Sequence, residues 1–319
     1  MSSSRRVASA SAVAVAVLAR SSKLVTRNAA TPPSATPKVI PTKFEVPTMK
    51  AIVLSSIVGD SRCTMTHASR RARNLHTPCM RIESDLTGIF IVDKELGMSS
   101  MRVVEIARRR AGRAKAGHAG TLDPLATGVL VVAFGRATKS IDRLMATEKK
   151  YETEVDLSAF TATDDREGER REVEVARPPT RDDVTNALRL FHGDIQQRPP
   201  SFSAIHVQGK RAYQLARDDQ PQELPARTVR VHEIALLEYE WPIARIAMRT
   251  GKGFYVRSLA RDLGVALGTG GHCASLRRTA VGPFTEQLAR RLGDVPELID
   301  ASCVMTLEAA LQLMESSGA

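Results

Sequence analysis

Most features that would tie a chain to a metal, a disulfide framework, a nucleotide cofactor or a bilayer are missing from this sequence. It has four cysteines in 319 residues, Cys63, Cys79, Cys273 and Cys303, and no two of them have CxxC spacing. That argues against a zinc site or a disulfide scaffold and fits reduced thiols in a cytosol-like compartment. No GxGxxG follows a strand-like run and there is no GxxxxGK[ST], so nucleotide-cofactor folds have no support. Carboxylates and histidines do not cluster at ligand spacing, which argues against a metal-dependent nuclease. The Ala/Val run from Ala12 to Ala19 is far too short to span a bilayer. Aromatics are sparse, with a single Trp, and no internal repeat is present.

Acidic residues are absent before Glu45, and this bears on the formal charge of +11. Residues 1–80 hold twelve Lys/Arg against two Asp/Glu, whereas the remainder holds 34 against 33. The basic balance therefore belongs to the N-terminal stretch. If the body binds RNA, it must use a local basic patch. Residues 1–84 are rich in Ser, Ala, Thr, Arg and Pro. They read as a basic, disordered extension or an over-long start upstream of Met49, Met65 or Met80. A transit peptide is the next reading and a secretory signal the last. The expected location is cytoplasmic, or an organelle if the transit reading holds.

What the body does have is a loop, Gly117-His118-Ala119-Gly120-Thr121-Leu122-Asp123-Pro124-Leu125-Ala126-Thr127-Gly128. Glycines permit positive φ and close approach, and Leu122 and Leu125 read as apolar anchors on either side of one acid. An Asp-Pro pair is often only a solvated turn. Here a basic helical end, Arg108-Arg109-Arg110, precedes the loop and an apolar strand, Val129 to Phe134, follows it, which favours a site.

Around it the expected elements alternate. Ile89 to Val92 reads as a buried strand, Met101 to Ala111 as a helix capped by Ser99 or Ser100, and Ala137 to Met145 as a helix. Strands are expected at Glu152–Leu157, Phe202–Val207, Thr228–Glu240, Ala244–Thr250 and Leu276–Phe284. Helices are expected after a Thr180-x-x-Asp183 capping box, near Tyr213 and Leu215, over Phe254–Leu267, and near Thr306–Met314. Strands outnumber helices and many look antiparallel, which predicts an α+β fold with a mixed, largely antiparallel central sheet flanked by helices.

The loop resembles the signature loop of the TruB-type tRNA pseudouridine synthases, and the likeness runs from about Gly88 to Phe284. Gly88 to Lys94 followed by Gly97 resembles the family's opening motif, and Lys150-Tyr151 its tyrosine motif. Arg198-Pro199-Pro200 with Ser203-Ala204, then Gly209 to Tyr213, resembles its mid-chain motif. Gly253-Phe254-Tyr255-Val256-Arg257-Ser258 resembles its arginine motif, and Leu276 to Gly282 the closing one. The resemblance implies isomerisation of uridine to pseudouridine at position 55 in the T-loop of tRNA, with no cofactor or metal, by a protein that is a monomer and binds no membrane. It implies Asp123 as the catalytic carboxylate, Arg257 as its cation and Tyr151 as a stacking ring and proton relay. Substrate contacts fall to His118, Lys94, Tyr255, Lys150, Arg109 and Arg110. The wider set of phosphate-binding candidates is Arg108, Arg113, Lys115, Lys149, Lys210 and Arg211. Arg261, one turn beyond Arg257, reads as a surface salt bridge.

Departures from the family pattern are local. Glu95 stands where Pro usually follows the motif lysine, Ser158 and Ala162 replace residues that are often Gly and Asp, and His206 replaces a Lys. Residues 85–284 are the expected catalytic domain. The 35 residues after Phe284 are short for the PUA-type module of many relatives. Two other readings are a synthase acting on another RNA, such as rRNA, and an RNA-binding or tRNA-folding protein without catalysis.

Overall fold

The near-continuous apolar runs Ile89–Val92 and Val129–Phe134 form neighbouring central strands, β1 (Gly88–Lys94) and β3 (Ala126–Phe134), paired antiparallel with Val92 opposite Leu130. Both strands are covered on two sides, which is why they read as continuous rather than alternating. Phe90, Val92, Leu130 and Val132 face one core with Val103 and Val104 of α1 (Ser100–Arg110). Ile89, Ile91, Val129 and Val131 face a second core with Leu144 of α2 (Ile141–Ala146) and with Ala310 and Met314 of α5 (Leu307–Ser316). The computed structural model describes residues 85–203, 205–207, 210–211 and 224–317. The extension 1–84 and the helix expected near Tyr213 and Leu215 lie outside the described residues.

The remaining strands extend this pair into one mixed sheet. They are β2 (Ala116–His118), β4 (Lys149–Asp156), β7 (Gly193–Gln197), β10 (Arg227–Glu240), β11 (Ile243–Thr250), β12 (His272–Val281) and β13 (Phe284–Thr285). The order is β1-β3-β12-β4-β11-β10-β7, with β2 on β3 and β13 on β12. Among the described strands every pairing is antiparallel except β3 with β12, which run parallel with Gly128 opposite Arg278. On β11, buried and half-buried positions alternate. One side packs on α3 (Arg181–Arg189) and α4 (Val256–Leu267), and the other carries ion pairs such as Arg245–Glu152 and Arg249–Glu148. Two small ribbons, β5 (Ala159–Thr161) with β6 (Arg170–Glu172) and β8 (His206–Val207) with β9 (Lys210–Arg211), lie off the sheet. No helix among the described residues is long and apolar enough to cross a membrane.

The α+β class and its mixed sheet agree with expectation, and several boundaries do not. The ends of the Gly117–Gly128 loop are taken up by β2 and β3, so the free loop is 119–125. The expected helix Ala137–Met145 splits into a 3-10 stretch, Gly135–Ser140, and the six-residue α2. Only His206–Val207 of the expected strand Phe202–Val207 is a strand. β7 was not expected at all, because Gly-Asp-Ile-Gln-Gln offers one apolar residue and no usable period. The capping box at Thr180 forms as read, with Thr180 accepting from the Asp183 amide. The segment after Phe284 runs back along β1: Arg290 donates to Ile91, and Ile89 and Met305 exchange two backbone bonds. Its helix α5, capped by Thr306, then closes the second core.

Candidate active site

The loop 119–125 is held at its apolar anchors. Leu122 and Leu125 are both buried. Ser100 binds Leu122 in both directions, its Oγ accepting from the Leu122 amide at 2.8 Å and donating to the Leu122 carbonyl at 2.9 Å. This frees Ser99 to be the cap of α1. Lys94, at the end of β1, turns its ammonium under the loop onto the carbonyls of Glu95, Met98 and Pro124. Gly120 and Gly128 take φ of 99° and 98°, a region that side chains rarely adopt. At Gly128 a Cβ would also stand 2.2 Å from the Arg278 carbonyl oxygen on β12.

Asp123 leaves this loop toward α4. Its Oδ2 lies 2.9 Å from Nε of Arg257, so two groups 134 positions apart in the chain form one pair. The Arg257 N–H does not point at that oxygen well enough for a hydrogen bond, and the contact is chiefly Coulombic. Arg257 itself is 4% exposed. Its Nη1 donates to the Thr163 carbonyl at 3.1 Å and to Asp165 Oδ2 at 3.3 Å, and its Nη2 to the Phe202 carbonyl at 2.8 Å. Asp165 is equally buried and is steadied by Thr163 Oγ1 and the Glu167 amide. One turn on, Arg261 pairs with Asp164 at 2.8 Å and donates to the Arg198 carbonyl. It is mostly buried rather than the surface pair expected from sequence. Burial raises the Asp164 carboxyl above its ordinary range, against the pull of Arg261 and Arg257.

Asp123 opens into a cavity of about 320 Å³ shared with Tyr151, Tyr255 and Arg278. Among the described residues five cations line it, Lys149, Arg227, Lys252, Arg257 and Arg278, against one carboxylate, Asp123. Tyr151 enters from β4. Tyr255 sits at the start of α4, where buried Gln197 reads both its amide and its carbonyl, at 2.8 and 3.0 Å. The Arg227 guanidinium lies 5.0 Å over the Tyr255 ring and donates to the Gly253 carbonyl. Such a cavity suits a flat, uncharged ring attached to anionic groups.

The expected site residues therefore separate. Asp123, Tyr151, Tyr255 and Arg257 meet at the cavity, and Lys149 joins them from the wider basic set. Lys94 does not: it is 1% exposed, and its ammonium is spent on loop carbonyls. Burial, against the attraction of Asp123, pulls the Lys94 ammonium down to about 8. His118 sits on β2 opposite Val132, outside the cavity lining, with a buried Nδ1 that has no partner. Burial, then the charge of Arg278, lowers its pKa. Arg110 is tied to the Leu292 and Val295 carbonyls, while Arg109 and Lys150 stay exposed outside the cavity. Sequence reasoning missed Arg227, Gln197, Asp165 and Arg278 as part of the site. Only Arg278 carried a signal, a second arginine in the closing motif, and Asp165 lay in a stretch that read as a plain polar turn.

Comparison with known proteins identifies the family. The family model described as TruB family pseudouridylate synthase (N terminal domain) matches residues 108–256. The model described as tRNA pseudouridylate synthase B C-terminal domain matches residues 257–317. Asp123 and Tyr151 thus fall in the first and Arg257 and Arg278 in the second. The tRNA pseudouridine synthase B of Corynebacterium efficiens is 45% identical over 231 residues, covering 70% of this chain and 76% of its own. That of Rhodospirillum rubrum is 44% identical over 229 residues, covering 70% and 74%. Among solved structures, a chain of a Cbf5-Nop10-Gar1 complex is similar with a TM-score of 0.52 and 32% identity, over 65% of this chain and 53% of that one. A chain of an H/ACA RNP bound to a substrate RNA containing 2′-deoxyuridine gives a TM-score of 0.54 at 27% identity, over 73% and 62%. The chain spans between half and two thirds of the length of those two. By its fold, its loop and both matched domains, the chain belongs to the TruB family of pseudouridylate synthases.

Proposed function

We propose that this protein isomerises uridine to pseudouridine at position 55 in the T-loop of tRNA, as a monomer, with Asp123 as its nucleophile. The observation that carries the reading is the Asp123 carboxylate, held 2.9 Å from buried Arg257 at the wall of a cationic cavity. The reaction breaks the N1–C1′ bond, forms C5–C1′, removes the proton from C5 and leaves one on N1. It is a net isomerisation and needs no co-reactant. Asp123 attacks C6 of the uracil or C1′ of the ribose, and departs again when the new bond has formed. Arg257 keeps it ionised and aimed. Tyr151 stacks on the detached ring and passes the C5 proton. Tyr255, under the Arg227 guanidinium, adds a second aromatic ring to the lining.

A target base in a folded loop must be swung out, at a cost of a few kcal/mol. Lysines and arginines around the mouth then meet the phosphates, so binding weakens steeply with salt. Free tRNA is favoured over an RNA held in a ribonucleoprotein, since identity is about 45% to the tRNA enzymes against 32% and 27% to the ribonucleoprotein chains. Tritium release from C5-labelled uridine, measured on tRNA and rRNA transcripts, tests this. Release from tRNA alone is the expected result. Release from rRNA alone would replace the substrate, and release from neither would refute the enzyme reading.

A further inference from the structure

Tyr255 occupies the N-cap position of α4 and brings no capping side chain to it. The turn before it, Gly251-Lys252-Gly253, is permissive backbone, with Gly253 at φ 86°. Neither feature fixes where the helix begins, yet Arg257 projects from its first turn. Asp165 and the Thr163 and Phe202 carbonyls hold Nη1 and Nη2 of that arginine. Its Nε edge, which faces Asp123 without a well-aimed N–H, depends on where the stem starts.

The start is held from outside the helix. Gln197, at the end of β7, is 1% exposed. Its Oε1 accepts from the Tyr255 amide at 2.8 Å, and its Nε2 donates to the Tyr255 carbonyl at 3.0 Å. Directly opposite Gln197 in the sheet stands Arg227 of β10. The Arg227 guanidinium lies 5.0 Å over the Tyr255 ring and donates to the Gly253 carbonyl. One cross-strand pair therefore takes Tyr255 by its backbone and by its ring. Just past Gln197, the Arg198 carbonyl accepts from Ser258 Oγ at 2.8 Å, which ties the same turn of α4 to the same strand end.

We infer that Gln197 is a positioning residue: with Arg227 it clamps Tyr255, and through the first turn of α4 it places Arg257 against Asp123. An amide suits this task because it offers a donor and an acceptor side by side. An ionised carboxylate would accept from the Tyr255 amide and offer nothing to its carbonyl, and a thioether would fill the space with neither. A displacement of about 1 Å in the catalytic constellation is enough to lose roughly 100-fold in rate. The inference rests on the proposed isomerisation only for that rate. The clamp itself stands on the hydrogen bonds and the strand register.

The test uses the full chain with Gln197→Met and Gln197→Glu, each first checked for folding by thermal melting. Carbon-13 label at the tyrosine Cζ gives four signals, one per tyrosine, and Tyr255→Phe identifies the relevant one. In Gln197→Met the Tyr255 signal moves, and the Tyr151 and Tyr239 signals stay. Single-turnover tritium release from tRNA falls about 100-fold, while tRNA retention on filters stays within about threefold. Gln197→Glu, which keeps one of the two bonds, loses less. In an Arg257→Lys background, Gln197→Met lowers the rate by no more than about threefold further, because the group it places is already gone. An unmoved Tyr255 signal, a rate within about threefold of the wild type, parallel losses of binding and rate, or an undiminished loss on top of Arg257→Lys would each overturn the inference. So would failure of both Gln197 variants to fold, which would assign Gln197 to the fold alone. A wild-type protein inactive on every RNA, with the Tyr255 signal still moving in Gln197→Met, would refute the isomerase reading and support the clamp.

Discussion

The two walls of the cavity solve one problem in opposite ways. On the α4 wall, Arg257 and Arg261 are matched by Asp165, Asp164 and Asp123, so charge is balanced locally. On the β3/β12 wall Arg278, and behind it Lys94 under the loop, are bound to carbonyl oxygens, and their charge is left to act on neighbours. The effect is visible in three groups. Burial lowers Lys94, His118 and Lys149, and in each the Arg278 charge adds to it; Lys149 reaches about 8. The balanced wall holds the Asp123 carboxylate in place. The unbalanced wall supplies positive potential where an anionic ligand or a developing negative charge would sit.

Removing the Asp123 carboxylate from the cavity should break this arrangement most severely. Asp123→Asn is expected to lose about 10⁴-fold or more in single-turnover rate, with folding and tRNA binding kept. Wild-type turnover in that variant would remove Asp123 from the chemistry. Next, the walls can be set against each other by stability. Arg257→Met strands the buried Asp165 without its cation, and urea unfolding should register a loss of about 3–5 kcal/mol. Arg278→Met leaves only neutral carbonyls behind, so its loss should be smaller despite equal burial. Equal losses would mean that the carboxylates do not distinguish the two walls. Tyr151→Phe is expected to bind tRNA normally and to slow product formation about 10²-fold, read by comparing filter binding with tritium release.

The smallest expected effect is a slope against pH. Lys94 ordinarily titrates near 10.5 and in the fold near 8. Between those values the unfolded chain holds a proton that the folded chain has released, so stability rises with pH across the window. Urea unfolding at pH 8 and pH 10 should show the wild type gaining on Lys94→Met as pH rises. Lys149, shifted the same way, contributes to both proteins and cancels in the difference. A difference that is flat or falls with pH would mean that Lys94 keeps its proton in the fold.

Much of the balanced wall could be read in the sequence. Asp123 stood out by its glycines and leucine anchors and Arg257 only through its likeness to the family's arginine motif, while Asp165 lay in what read as a plain polar turn. The unbalanced wall was nearly invisible. Lys94 and the run Arg108–Arg110 were read as substrate contacts because a cation in a sequence carries no sign of what it faces. Lys94 turned inward to carbonyls and Arg110 to the C-terminal segment, contacts that depend on chain returning from far away. Arg278 looked like one of two adjacent arginines, and only strand alternation decides that Arg277 faces Asp93 while Arg278 enters the core. The fold class came through because central strands advertise themselves by unbroken apolar runs. The edge strand β7 did not, since a single Ile195 among polar residues has no period to detect.

The parallel pairing of β3 with β12 has a temporal meaning. Val129 and Arg278 are joined although 149 residues separate them. Arg257 arrives with α4 and Arg278 only with β12, so until β12 has been synthesised and slotted beside β3 the aspartate loop lacks one of its two guanidinium props. The residues that gather around Asp123 are therefore complete only when the last third of the polypeptide has been made.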